Sequence, residues 1–233
     1  MSHNNQELNI LFEDNHLLIV NKPAGMLVQP DKGGEPALEQ LAKQYIKAKY
    51  QKPGEVFLGV CHRIDRPVSG VVVLAKTSKA LVRLNEMFKT REVKKTYWAV
   101  VESAPAQSKA TLIHWLKKDE QKNISRGYDN EVKGSSRCEL SYKLLGKSDN
   151  YYLLEVNPIT GRHHQIRVQL SGIGCSIKGD IKYKAKRTNK DGSIHLHARA
   201  ISFFHPVRKE EISITAPVPA DAVWKFFEET ATV

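Results

Sequence analysis

Apolar and polar positions follow two different periods along this chain. Alternating or continuous apolar runs rich in β-branched residues favour strands over 8–14, 16–23, 71–76, 94–102, 111–116, 138–145, 151–159, 193–204 and 211–217. Apolar positions spaced three and four residues apart predict helices over 37–50, 78–92, 160–174 and 220–230. Because hairpin-like strand pairs outnumber helices and no strand–helix–strand rhythm appears, the pattern predicts an α+β fold.

The chain shows no internal repeat, low-complexity tract or linker. We therefore expect one domain over residues 1–233. Residues 117–137 are polar and charge-rich with little periodicity, which predicts an exposed excursion or a loosely held hairpin.

Charge and cysteine content narrow the choice of partner and compartment. Lys and Arg number 36 against 25 Asp and Glu, a formal net charge of +11 that favours nucleic acid ahead of an anionic membrane. Cys61, Cys138 and Cys175 are scattered, which argues against a disulfide framework and for a reducing compartment. The polar start MSHNNQELN is no signal peptide, and no apolar run approaches the length of a membrane span. These features predict a cytoplasmic protein.

The segment HRIDRPVSG at 62–70 holds one carboxylate, Asp65, between Arg63 and Arg66 and close to His62. A buried strand is predicted directly after it. An acid in such an electropositive turn should have a lowered pKa and stay ionised, which suits a nucleophile better than a general acid. The alternative is structural, namely that Asp65 pairs with one of the arginines and shapes the loop.

Metal and thiol sites are the first catalytic alternatives to test. The nine histidines form only two clusters, His163-His164 and His195-x-His197, and neither has the spacing or third ligand of a zinc site. Cys61 precedes a histidine but follows an apolar strand, which favours a small packed residue over a nucleophile. No phosphate-binding glycine loop is present. We expect neither a metal nor a cofactor.

Basic and polar side chains gather at three places that suit RNA. The predicted helix after Thr160-Gly161 would expose Arg162, His164 and Gln165 in its first turn, where free backbone N–H groups favour anions. Lys22, at the end of a strand, could reach a phosphate, although an exposed lysine is the commoner case. Residues 178–190 form a basic loop. With Asp65 and Tyr97, this pattern indicates carboxylate chemistry on nucleic acid without a metal.

Five motifs in order resemble those of the RluA-type pseudouridine synthases, which convert uridine in RNA to pseudouridine. The first is NKPAG (21–25), and HRIDRPVSG is similar to the family's HRLDxxTSG. Phe88 through Tyr97 fit F-x-x-R-x-V-x-K-x-Y. Residues 161–183 resemble GRxHQIRxHLxxxGxPIxGDxxY, and LHARAISFFHP (196–206) resembles the closing segment. Val68, Gln169 and Ser176 depart from the pattern, at positions outside the expected catalytic residues.

The resemblance implies the site and its chemistry. It implies a catalytic domain with a core over about 8–218, a mixed, mostly antiparallel sheet with helices and loops around a catalytic cleft, and no separate N-terminal RNA-binding domain. Asp65 would be the nucleophile, and Arg167 would pair with the Asp65 carboxylate. Tyr97 would stack on the target base and is a candidate for proton transfer. Arg63 would help hold the flipped-out uridine or fill the gap that it leaves. His62, Lys22 and the helix-turn residues complete the expected RNA contacts.

The expected activity is isomerisation of specific uridines in structured ribosomal RNA of the 23S type or in tRNA, by a monomer. Asp65 would attack the anomeric carbon or assist loss of the 2′ proton, and the sequence leaves both open. A catalytically silent RNA-binding or ribosome-assembly protein of the same fold is the alternative. A retaining glycosidase needs two carboxylates about 5 Å apart, whereas HRIDRPVSG contains only one.

Overall fold

The computed structural model describes residues 8–31 and 33–231. Within these residues there are four α-helices: α1 (Leu38–Lys49), α2 (Ser78–Lys89), α3 (Gln165–Gly172) and α4 (Ala222–Thr230). The strands are β1 (Ile10–Glu13), β2 (Leu17–Lys22), β3 (Gly59–Val60), β4 (Ser69–Ala75), β5 (Lys94–Val101), β6 (Lys109–Asp119), β7 (Ile124–Tyr128), β8 (Ser136–Lys147), β9 (Tyr152–Pro158), β10 (Leu196–Phe204) and β11 (Glu211–Thr215). A short 3₁₀ helix spans Ile181–Tyr183. The predicted α+β class is confirmed.

The chain divides into two compact units. The first contains the described residues up to Val93 together with Ala200–Pro217, and the second contains Lys94–Arg199 and the residues from Val218 onward. Strand β10 contributes residues to both. Compactness alone does not define a domain, so the expectation of one domain stays a prediction.

The first unit is built on β4, whose seven residues are all buried. Strand β2 pairs antiparallel with it and places Ile19 opposite Val73. Helix α2 begins at Thr77, whose side chain accepts a hydrogen bond from the Ala80 N–H, and it buries Leu84 against this sheet. The long apolar run at 71–76 is therefore a core strand that fixes the position of the turn before it.

The second unit is an antiparallel array in the order β5-β9-β8-β6-β7. The polar excursion does form a hairpin, since β6 extends to Asp119 and β7 pairs with it. The expectation that it is loosely held is wrong. Ser125 is buried, and its backbone N–H and hydroxyl both bond to other segments of this unit.

Helix α3 begins at Gln165, later than predicted. His164 precedes it with φ 54°, a left-handed conformation, and the first turn points into the unit. All residues from Gln165 to Ser171 are buried. The expected exposed helix start is therefore wrong, because the apolar stripe is accompanied by polar residues that are also packed inside.

Candidate active site

The turn that carries Asp65 is closed by a hydrogen bond from the Val68 N–H to the Asp65 carbonyl, 3.0 Å long. Asp65 is half-buried, whereas Arg63 and Arg66 are exposed. The chain then enters the buried strand β4 at Ser69. The nucleophile predicted from the sequence therefore lies in a closed turn shortly before a buried core strand.

The NKPAG loop is tied to this turn. The Gly25 N–H donates to the Arg66 carbonyl at 2.8 Å, and Arg66 Nε donates back to the Gly25 carbonyl at 2.9 Å. Gly25 has φ +86°, where a glycine is favoured. The Arg66 guanidinium also pairs with Glu35. Two motifs some forty residues apart in sequence thus form one local structure around Asp65.

Lys22 lies inside that structure. Its side chain is fully buried, and Nζ donates to the carbonyls of Pro23, Met26 and Arg66 at 2.9, 2.7 and 3.3 Å. Burial lowers the pKa of Lys22 to about 7, against the opposing attraction of the Asp65 charge. The expectation that Lys22 contacts RNA is therefore corrected, since its ammonium group is enclosed by the protein.

Two neighbours of the turn are packed residues. His62 Nε2 accepts a hydrogen bond from the Val73 N–H at 2.9 Å, and its ring stacks on Phe88 with centroids 4.7 Å apart. These contacts fix the ring, and an RNA contact by His62 stays a prediction. Burial raises the pKa of Cys61 to about 12. The Cys61 thiol is thus protonated near neutral pH, as the packing interpretation expects.

Tyr97 lies on β5 of the second unit. It is half-buried and sits opposite Val156 on β9. Lys95 is two residues earlier and therefore on the same face of the strand. Tyr97 is thus carried by a regular sheet rather than by a loop.

Arg167 is held by an acid that sequence reasoning did not single out. Its Nε and Nη2 donate to the two carboxylate oxygens of Asp180 at 2.6 and 2.8 Å, and both side chains are buried. The guanidinium carbon also lies 4.9 Å from the centre of the Tyr183 ring. A bidentate pair over an aromatic face fixes the plane of the guanidinium.

The Tyr183 hydroxyl links three segments. It accepts the Ser125 N–H of β7 at 2.8 Å and lies 2.8 Å from His164 Nδ1. The Ser125 hydroxyl in turn donates to the His163 carbonyl at 2.9 Å. Asp180 and Tyr183 stood in the motif GDxxY, which was the available signal for them. Their contacts show why an Asp and a Tyr occupy these positions.

Two expected RNA contacts at the start of α3 are corrected. The Gln165 amide accepts from Thr160 Oγ1 at 2.7 Å and donates to the Glu139 carbonyl at 3.1 Å. His164 is buried against Tyr183. Both side chains hold the turn from inside. Arg162, by contrast, is exposed.

Asp65 belongs to the first unit and Arg167 to the second, so their expected pairing stays a prediction.

Within residues 8–31 and 33–231, no three His, Cys, Asp or Glu side chains are grouped to hold a metal ion. In the same residues, no helix is long and apolar enough to cross a membrane.

Comparison with known proteins gives one consistent family. Residues 16–172 match the family model described as RNA pseudouridylate synthase. The ribosomal large subunit pseudouridine synthase C of Buchnera aphidicola is 35% identical over 227 residues, covering 93% of this chain and 68% of the relative. That of Vibrio parahaemolyticus is 36% identical over 90% of this chain and 65% of the relative.

A solved structure agrees with these relatives. Human RNA pseudouridylate synthase domain containing 4 superposes with a TM-score of 0.80 at 26% identity, over 97% of this chain and 94% of that one. The chain spans about two thirds of the length of the two bacterial relatives. With its five motifs and this fold, the chain belongs to the RNA pseudouridylate synthase family, of the RluA type.

Proposed function

We propose that this protein isomerises specific uridines to pseudouridine in structured ribosomal RNA or tRNA, with Asp65 as the nucleophile. The observation that carries the proposal is the ordered motif set, which includes Asp65, Tyr97 and Arg167, on a chain of this family. The named activity of the bacterial relatives, on the ribosomal large subunit, favours large-subunit RNA as the first substrate to test.

The reaction breaks the bond between uracil N1 and the ribose anomeric carbon and forms a new bond from that carbon to uracil C5. The hydrogen on C5 is lost to solvent, and N1 gains a proton. A carboxylate assists by attacking the anomeric carbon or by removing the 2′ proton, and Asp65 serves in either route. The target base must leave its stack, at a cost of a few kcal/mol.

The local structure around Asp65 supports its role. Strand β4 and the NKPAG loop fix the backbone of the turn through Lys22, Gly25 and Arg66, which holds the point from which the Asp65 side chain projects. A nucleophile held in one orientation loses less entropy when it reacts. The cation of Lys22 also attracts the Asp65 charge.

Arg167 and Tyr97 complete the proposed catalytic set. We propose Arg167 as the cation that keeps the nucleophile anionic, and Asp180 and Tyr183 preset the plane of its guanidinium. Tyr97 would stack on the extruded uracil. Arg63, which is exposed beside Asp65, would contact the RNA.

The activity is tested with RNA labelled with tritium at uracil C5. Total rRNA and tRNA are taken from a host that lacks the gene, so that target sites are unmodified. Incubation with the wild-type protein should release tritium into water, and pseudouridine mapping of the same RNA identifies the site. No release from either RNA contradicts the proposal.

A further inference from the structure

Lys95 is a half-buried lysine that the proposed catalytic set does not use. It lies on β5, two residues before Tyr97 and on the same face. Two residues of a strand span about 7 Å. The Lys95 side chain therefore leaves the strand within one nucleotide's length of Tyr97, on which the target base is proposed to stack. Burial lowers the pKa of Lys95, and no charged neighbour contributes to that shift.

The Lys95 ammonium reaches the turn before α3. A β-carbon placed on Gly161 would lie 3.8 Å from Lys95 Nζ, and apart from the neighbouring residues of the chain no other heavy atom would lie within 4 Å. The next residue is Arg162, which is exposed. This turn therefore carries one cation, Arg162, and lies beside a second, the Lys95 ammonium.

Neither cation is neutralised by the protein. Among residues 8–31 and 33–231, neither the Lys95 ammonium nor the Arg162 guanidinium has a hydrogen-bond or ion-pair partner, in contrast to Arg167. A partly desolvated ammonium without a partner gains free energy when an anion supplies one. Phosphate is the anion that RNA presents, and phosphate contacts set the register of a protein on its nucleic acid.

We propose that Lys95 and Arg162 form a phosphodiester-binding site that holds the RNA backbone beside the uridine stacked on Tyr97. The inference deepens the proposed function and rests on it for the identity of the bound polymer. The site fixes the register of the strand, whereas Asp65 acts on the sugar. Lys95 is a binding residue and takes no part in bond making.

The test measures RNA affinity as a function of salt. The probe is an in vitro transcript of large-subunit rRNA, bound at KCl concentrations from 50 to 300 mM, with Lys95→Gln, Arg162→Gln, Lys95→Arg and wild type compared. Each lost phosphate contact should lower the slope of log affinity against log salt by about 0.7 to 0.9. Lys95→Gln and Arg162→Gln should each bind about tenfold more weakly, and Lys95→Arg should bind as the wild type does.

Two further variants separate the site from general charge and from folding. Gly161→Asp keeps both cations but sets a carboxylate beside Lys95, and it should weaken binding as Lys95→Gln does. Gly161 has no left-handed φ, so a side chain is allowed there. Lys225→Gln removes an exposed lysine on α4. Helix α4 packs on the face of β5 that carries Trp98, opposite Lys95. The RNA affinity and the salt slope of Lys225→Gln should therefore equal those of the wild type.

The outcomes distinguish this site from the proposed activity. Wild-type affinity and slope in Lys95→Gln, or equal losses in Lys95→Gln and Lys225→Gln, overturn the site. Absence of wild-type binding overturns it as well. Tritium release by the wild type is scored separately: binding that depends on Lys95 without tritium release keeps the site and overturns the isomerase activity.

Discussion

At the scale of single residues, Lys22 shows how a charged side chain can act as an internal brace. A buried ammonium is costly unless it is hydrogen-bonded. Here Nζ donates to three backbone carbonyls: that of Pro23 in the NKPAG loop, that of Met26 directly after the loop, and that of Arg66 in the turn after Asp65. The residue therefore joins two motifs. Its removal should lower the stability of the folded state as well as the catalytic rate.

Replacing Lys22 by Met should lower the free energy of unfolding by about 2 to 4 kcal/mol, because buried carbonyls lose their donor. Urea denaturation measures this directly. Lys47→Met is the matched control, since Lys47 is an exposed residue of α1, and it should change stability by less than about 0.5 kcal/mol. Equal effects of the two variants would show that the Lys22 contacts contribute nothing.

The lowered pKa of Lys22 predicts how stability depends on pH. The folded pKa is about 7 and the unfolded value 10.5, so between these values the unfolded chain binds a proton that the native chain does not. Stability therefore rises with pH over this window, and the burial penalty is fully present below pH 7. Relative to Lys22→Met, the wild type should gain up to about 1.4 kcal/mol per pH unit from 7 to 9. A flat difference would mean that the ammonium stays charged inside.

At the scale of elements, the segment from Ser176 to Ala185 orients Arg167. Gly179, with φ +90°, allows the turn that delivers Asp180, and the short 3₁₀ helix places Tyr183 under the guanidinium. On the edge strand β7, the backbone N–H of Ser125 donates a hydrogen bond to the same Tyr183 hydroxyl. This one segment thus orients the Arg167 guanidinium and also holds the β6–β7 hairpin in place.

Gly179→Ala tests the turn. A β-carbon there would lie 2.6 Å from Asn189 Nδ2 and 2.8 Å from the Ser193 carbonyl oxygen, in a conformation that side chains rarely adopt. We expect a loss of about 2 kcal/mol or more, seen as a lower thermal midpoint. Gly172→Ala, at the end of α3 with no heavy atom within 4 Å, should leave stability unchanged or raise it by about 0.5 kcal/mol. A loss in Gly172→Ala as large as in Gly179→Ala contradicts this interpretation.

Tyr183→Phe tests whether the Tyr183 hydroxyl holds strand β7. The change removes the acceptor of the Ser125 N–H and the partner of His164 Nδ1, so the Ser125 amide should exchange with deuterium faster, by roughly tenfold or more. Tyr128→Phe on the same strand is the control and should leave that amide unchanged. An unaltered Ser125 amide in Tyr183→Phe would mean that β7 is held by the strand ladder alone.

Sequence periodicity predicted the elements whose burial is regular and missed contacts made by polar side chains. The apolar run at 71–76 predicted β4, and the helical spacing of apolar residues over 78–92 predicted α2, in both cases almost to the ends of the element. Strand β7, ISRGY, has too few apolar residues to show a period. One of the three carbonyls that enclose the Lys22 ammonium lies 44 residues away in sequence. The left-handed conformation of His164 precedes a helix start that is buried, where an exposed one was predicted. The motifs located Asp65, but only the fold relates Asp180 to Arg167.

At the scale of the whole molecule, the proposed catalytic residues come from both compact units. Asp65 belongs to the first, while Tyr97 and Arg167 belong to the second. The net charge of +11 suits binding of RNA in general, and a silent RNA-binding protein of this fold would have it too. The carboxylate of Asp65 is what separates an enzyme from that alternative.

Single-turnover release of tritium from C5-labelled RNA therefore tests the central claim most directly. Asp65→Ala and the isosteric Asp65→Asn should reduce the rate by roughly a thousandfold or more, with RNA affinity retained. Asp149→Ala, which removes an exposed carboxylate in the β8–β9 loop, should keep the wild-type rate. Release at the wild-type rate by either Asp65 variant would contradict the assignment of Asp65 as the nucleophile.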